Sequence, residues 1–162
     1  MKKIALFALF LTSYTSNATQ LHLSPEIKMG PYLGAGIQLG TTNTLDLDAI
    51  FVSYHRTAYQ DSWYDEKIDT FRIGGQKMLG KSKVHGFQVE MGYTKYQGSK
   101  ETAHSASQLT ADGLSLGGAY IFQATDTIAL RGGVDINMFA WGRTHVPFDM
   151  SPNVNLGVVF NL

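Results

Sequence analysis

From Val154 to Leu162 every second residue is apolar: Val154, Leu156, Val158, Phe160 and Leu162. Successive side chains of a strand point to opposite faces, so a period of two gathers all five on one face. A soluble edge strand with such a face would need cover, and a charge or proline against mispairing. A strand that closes a barrel in lipid needs neither. The rhythm recurs upstream: Phe87, Val89, Met91 and Tyr93 oppose Gln88, Glu90 and Thr94, and Ile128, Leu130, Val134, Ile136 and Met138 oppose Arg131, Asp135 and Asn137. A soluble barrel keeps its apolar side inside, so polar residues on the inner face predict the inverse arrangement, with lipid outside.

The same alternation marks Leu114, Leu116, Tyr120 and Phe122, then Phe71 and Ile73 opposite Thr70, Arg72 and Gln76. It also marks an odd-numbered stripe from Ile27 to Leu39, and Leu45, Leu47, Ala49 and Phe51 opposite Asp46 and Asp48, where Ile50, Val52 and Tyr54 blur the phase. These make seven strands. Bacterial single-chain barrels have even numbers. An eighth, short strand is therefore expected at Thr19 to Leu23, with Ser24-Pro25-Glu26 as the first external turn. Short turns at Thr41 to Asn43, Leu79 to Ser82 and Ala124 to Asp126 alternate with long polar stretches at His55 to Glu66, Gln97 to Ser107 and Gly142 to Pro152. Short periplasmic turns and long external loops are the pattern of an up-and-down meander in a bilayer, which places Leu162 on the periplasmic side. A hairpin centred on Lys81 would pair Phe71 with Met91, Ile73 with Val89 and Arg72 with Glu90. One centred on Thr125 would pair Phe122 with Ile128, Tyr120 with Leu130, Ala119 with Arg131 and Ser115 with Asp135.

The fold class expected is thus all-β: an antiparallel up-and-down transmembrane β-barrel of eight strands. Met1-Lys2-Lys3, the apolar run Ile4 to Leu11 and the small residues Ser16 and Ala18 read as a cleaved export signal over residues 1–18. The run is too short for a spanning helix, which takes about 20 residues. Residues 19–162 would then form a single barrel domain. Without Lys2 and Lys3, eleven basic residues face thirteen acidic ones, a net charge of −2 that implies no nucleic-acid partner. There is no cysteine for a disulfide framework after export.

The segment Asn155-x-Gly157-x-x-Phe160-x-Leu162 resembles the C-terminal assembly signal read by the outer-membrane assembly machinery of Gram-negative bacteria, with Leu162 where Phe is commonest. With strand rhythm and loop alternation added, the chain resembles the small outer-membrane barrels of the OmpX, Ail and OmpA transmembrane-domain type, and the AcfA-like accessory colonisation factors. The resemblance implies residence in the outer membrane among lipid and lipopolysaccharide, and external loops that in some members contact host surfaces. No functional residues carry over, because the loops share no motif.

Arg72, Glu90, Arg131 and Asp135, with Asp46 and Asp48 nearer the periplasmic end, could line an ion path. Eight strands leave an interior just wide enough for side chains to fill, so a structural ionic network in the lumen is expected and a solute porin is not. His104 and Ser105 in the second long stretch and His145 in the third are the residues a lipid A deacylase or acyltransferase would need. Adjacent residues in a Ser- and Ala-rich stretch are poorly positioned for that chemistry, so no enzyme activity and no catalytic residue are expected. The five histidines lack ligand spacing, so neither a metal nor a cofactor is expected. Tyr59, Trp63 and Phe148 lie well inside the long stretches, beyond the interfacial girdle to which Tyr93, Tyr120 and Trp141 belong. Exposed aromatics near arginine suit a protein-binding surface, so the expected role is surface interaction with a host or envelope protein by a monomeric barrel, the alternative being a purely structural one.

Overall fold

The computed structural model describes residues 19–102 and 105–162. The expected export signal and His104 lie outside them. The described residues form eight strands: β1 (Leu21–Met29), β2 (Leu33–Thr44), β3 (Leu47–Gln60), β4 (Tyr64–Leu79), β5 (His85–Thr102), β6 (Ser105–Gln123), β7 (Ile128–Phe139) and β8 (Met150–Asn161). Each pairs antiparallel with its neighbours in chain order, and β1 pairs with β8 to close the barrel. This is the eight-stranded up-and-down barrel expected from the alternation.

Outward-facing apolar residues form a belt that includes Ile27, Ile37, Val52, Phe71, Ile73, Phe87, Val89, Met91, Leu114, Leu130, Val134 and Leu156, all exposed. Tyrosines bound it at both ends. On the external side Tyr54 donates to Asp69 at 2.7 Å and Tyr93 to Asp112; at the other end the Tyr120 hydroxyl meets His85 Nδ1. Just above the external tyrosines the registers align Arg56 with Asp69, Asp69 with Lys95, and Lys95 with Asp112, an alternating-charge row across β3 to β6. From His85 to Lys95, β5 advances about 33 Å at ~3.3 Å per residue, or about 25 Å of height at a tilt of ~40°, the thickness of an apolar band.

Several details depart from expectation. Ser24, Pro25 and Glu26 are not a turn but the middle of β1, and the chain turns instead at Gly30-Pro31-Tyr32. The β1–β8 register skips Ser24 and Pro25 while the β1–β2 register runs through them, so the missing proline N–H falls where no ladder bond is made. In β3, Ala49 and Phe51 face the lumen, fully buried, and Val52 faces lipid. Phe51 stacks on the ring of His22 at 5.1 Å, which anchors that phase. Both expected hairpin registers are displaced by two: Phe71 faces Tyr93, Ile73 faces Met91 and Arg72 faces Gly92, while Tyr120 faces Gly132 and Ile121 faces Arg131. A shift of two preserves the faces, so the alternation alone could not detect it.

The long polar stretches are mostly strand. β3 and β4 meet across residues 61–63, and the β5–β6 pairing runs out to Thr102 opposite Ser105. Among the described residues only 140–149, between β7 and β8, make a long connection, with a 3-10 turn at Pro147–Asp149.

Candidate functional site

The lumen is built from the even-numbered residues of β1 and β2 and the inward positions of the other strands, and it fills in three layers. Met78, Ile121, Ala129 and Val159 pack at the periplasmic end. The middle is ionic. Arg72, Glu90, Arg131 and Asp135, expected there, are all buried and meet: Arg72 Nη2 lies 2.9 Å from Asp135 Oδ1, Arg72 Nη1 3.8 Å from Glu90 Oε2, and Arg131 Nη2 2.6 Å from Glu90 Oε1. Three members were missed. Lys28 bridges Asp135 and Glu26, standing 3.1 Å from the latter; Arg131 also binds Glu26; and His55 Nε2 is 2.6 Å from Glu26 Oε1. The sequence pattern puts Glu26 in a turn and His55 in a loop. The polar run His22, Ser24, Glu26, Lys28, alternating with Leu21, Leu23, Ile27 and Met29, was the signal that could have found two of them.

Three cations thus face three carboxylates whose side chains are at most 1% exposed. Neutral groups add hydrogen bonds: Gln38 donates to Glu90 at 2.8 Å, Ser53 to Glu90 at 2.9 Å, and Asn155 to Asp135 at 2.9 Å. Buried charges are tolerated when each meets an opposite charge and further hydrogen bonds in this way. Asp46 and Asp48 stand apart, at the periplasmic mouth: the Asp46 carbonyl accepts from Lys77, and Asp48 pairs with Lys83 at 2.8 Å.

Backbone approach depends on glycine at Gly36, where a Cβ would overlap Cδ2 of His55, whereas at Gly118 it would meet nothing nearer than the Gln88 carbonyl oxygen at 3.8 Å. Gly36→Ala is expected to lower the unfolding free energy by about 1 to 3 kcal/mol, the usual cost of overpacking. Gly118→Ala should leave it nearly unchanged. Urea unfolding of the two variants in lipid vesicles checks the contrast, and equal midpoints would contradict the packing.

The C-terminal pattern also has a place in this geometry. Asn155 points into the lumen, where Arg131 donates to it at 2.5 Å. Gly157 lies opposite both Arg131 and Glu26, and a Cβ there would press on Pro25 and Glu26 across the closing seam. Phe160 pairs with Ile128 on one side and Leu23 on the other. Leu162 and Leu21 exchange backbone hydrogen bonds of 2.6 and 2.9 Å.

The third layer plugs the external end. Tyr32, Ile68, Tyr96, Ala111 and Val146 pack together, with Leu109 and Phe139 against them. Val146 comes from the β7–β8 connection, which Asp149 folds over the barrel: its carboxylate accepts from the Thr144 hydroxyl at 2.7 Å and the Gly142 N–H at 2.7 Å, which hold it below the usual carboxylate range. Both phenols of the plug, Tyr32 at 2.5 Å and Tyr96, donate to the buried carboxylate of Glu66. Burial and that carboxylate push both phenols up, out of reach of ordinary titration.

Above the charged row, β3 to β6 continue as one sheet, tied at its top by the Glu101 N–H donating to the Trp63 carbonyl at 2.9 Å. Tyr59 stands at the end of β3 and Trp63 in the β3–β4 turn, 40% and 55% exposed; Phe148, 79% exposed, is on the β7–β8 connection with φ 59°. Asp61 fixes the turn by accepting from the N–H groups of Trp63 and Tyr64 at 2.7 and 2.8 Å and from the Tyr59 hydroxyl at 2.9 Å; the first two bonds hold its carboxyl below its ordinary range. No ring contact joins Tyr59, Trp63 and Phe148 among the described residues. Arg56, on the same strand as Tyr59, pairs with Asp69 at 2.6 Å. His145 packs edge-on against Tyr64 at 5.9 Å.

No family model matches the sequence, and no characterised protein matches it at the level of sequence. Solved structures do match. The N-terminal β-barrel domain of Pseudomonas aeruginosa OprF is 14% identical with a TM-score of 0.63, over 89% of this chain and 99% of that one. Ail, the attachment invasion locus protein of Yersinia pestis, is 9% identical with a TM-score of 0.66, over 89% and 97%. A major outer membrane protein from Thermus thermophilus is 9% identical with a TM-score of 0.67, over 90% and 100%. With its belt, its ionic lumen and its closed register, the chain has the fold of the small eight-stranded outer-membrane barrels.

Proposed function

We propose that the protein is an integral outer-membrane barrel that presents its projecting β3–β6 sheet and the β7–β8 connection to a host or envelope protein, with the lumen serving as structural filling and no catalytic role. The observation that carries this reading is the sheet itself. β5 and β6 run well past the charged row, and the β6–β7 register begins only at Gly113, so Ser105 to Asp112 have no strand on their far side among the described residues. An uncovered strand edge is a template for another chain, and the exposed Tyr59 and Trp63, at the β3–β4 end of the same sheet, are side chains that protein-binding surfaces favour. One protein with this fold is named for attachment and invasion.

The test replaces Tyr59, Trp63 and Phe148 with serine together. None of the three belongs to the lipid-facing belt, so insertion should be normal, while adhesion or retention of serum factors by cells with matched surface amounts should fall by about tenfold or more, as for loss of a hot-spot cluster. Undiminished binding by the variant defeats the aromatic surface. Absence of binding by either form favours the purely structural envelope role.

A further inference from the structure

A cavity of about 260 Å³ opens at the external rim, over the plug. Tyr32, Tyr59 and Tyr64 supply rings to its wall, and Asp61, Glu66 and His145 supply polar atoms. No lysine or arginine lines it. Neither carboxylate has a cation within ion-pair distance among the described residues, although Glu66 is buried. In the lumen the buried carboxylates of Glu26, Glu90 and Asp135 meet guanidinium or ammonium groups; here two carboxylates and three tyrosine rings line one hollow.

The hydrogen bonds at the site select the kind of cation. Asp61 Oδ1 accepts from two N–H groups and Oδ2 from the Tyr59 hydroxyl, while the two Glu66 oxygens accept from Tyr96 and Tyr32. Every carboxylate oxygen therefore already accepts at least one hydrogen bond, which leaves fewer lone pairs for a further ligand. A metal ion needs oxygen ligands, and a primary ammonium needs acceptors for three N–H bonds. A quaternary ammonium needs neither: it is attracted by ring faces and by nearby negative charge, and its methyl groups pack against apolar walls. The rim already receives a cation in this way, since Lys100 Nζ lies 5.0 Å from the centroid of the Tyr64 ring.

We propose that this cavity, walled by Tyr32, Tyr59 and Tyr64 over Asp61 and Glu66, binds a quaternary ammonium group of the choline type. The cavity shares Tyr59 with the proposed protein-binding surface, but its test is distinct: it uses small molecules, and Tyr64 and Glu66 are outside the serine triple variant.

The full barrel is refolded in octyl glucoside micelles, which carry no choline group, and titrated with choline while the ligand methyl protons are followed by NMR. Saturable millimolar binding is expected. Tyr64→Leu and Glu66→Gln should each weaken it about fivefold or more, and Tyr64→Phe, which keeps the ring, by less than about twofold. All three variants are first shown to fold by heat-modifiable electrophoretic mobility. The uncharged carbon analogue 3,3-dimethylbutan-1-ol should not bind. If it binds as well as choline, if Tyr64→Leu binds like the wild type, or if choline binding never saturates, the proposal is overturned. Glycerophosphocholine separates the sources: binding equal to that of choline assigns a lipid headgroup, and choline binding alone assigns a free cation.

Discussion

Arg131→Ala should destabilise the barrel by about 3 to 5 kcal/mol, the cost of leaving a buried charge without its partner. Arg131 donates to Glu26, Gln88, Glu90 and Asn155 from the centre of the lumen. Its removal leaves three carboxylates against two fixed cations in a space where every side chain of the network is almost fully enclosed. The comparison variant is Lys100→Ala, at the external rim, where losing one cation–π contact costs less than about 1 kcal/mol. Urea unfolding midpoints in lipid vesicles decide the matter. Equal midpoints for the two variants would mean that the lumen network adds nothing to stability.

Deletion of residues 160–162 should abolish barrel closure in cells. The three residues carry Phe160 between Leu23 and Ile128, Asn161 beside His22, and the paired backbone bonds between Leu162 and Leu21. Without them the β1–β8 seam ends at Glu26 opposite Gly157, which leaves unpaired N–H and C=O groups at the membrane edge, each costing several kcal/mol in hydrocarbon. The expected product is protease-sensitive chain in the periplasm with folded barrel at a few per cent of wild type or less; fractionation and heat-modifiable mobility measure it. Phe160→Ala, which keeps the backbone bonds, should be milder. Normal yield of the deletion variant would remove both the seam and the assembly-signal explanations for this segment.

The stripes of β5 to β8 were legible in the sequence because they cross lipid, where outward positions must be apolar and inward ones may be polar. So were Arg72, Glu90, Arg131 and Asp135, each polar on the inner face of such a stripe. Legibility failed where that contrast is absent. Beyond the charged row both faces of β3 to β6 meet water or a small plug, so Gln97, Ser99 and Glu101 look like a loop although β5 carries them as strand. His55 falls just inside the charged row, at the start of the long polar stretch, and looks like loop together with it. Pro25 concealed β1 because a proline in a strand ordinarily marks its end, and here the seam simply leaves out the ladder bond it cannot make. Phe51 misled the reading of β3, since a large apolar side chain at the periplasmic end of the lumen looks like a lipid contact. The two-residue register shifts reflect the actual turns: Gly80 and Lys83, both at positive φ, place the β4–β5 turn one residue further along than a hairpin centred on Lys81.

The molecule is an inverted barrel with lipid outside, charge inside and a sheet that continues into water. The chain has no cysteine, so a single cysteine introduced along β5 reports only its own position. A fluorophore at each site, in vesicles containing spin-labelled lipid, measures contact with the acyl chains. Positions 87, 89, 91 and 93 should be strongly quenched, positions 88, 90 and 94 protected from lipid and water alike, and positions 95, 97, 99 and 101 open to a water-soluble quencher only. Lipid quenching at 88 or 90, or at 97 to 101, would contradict the account.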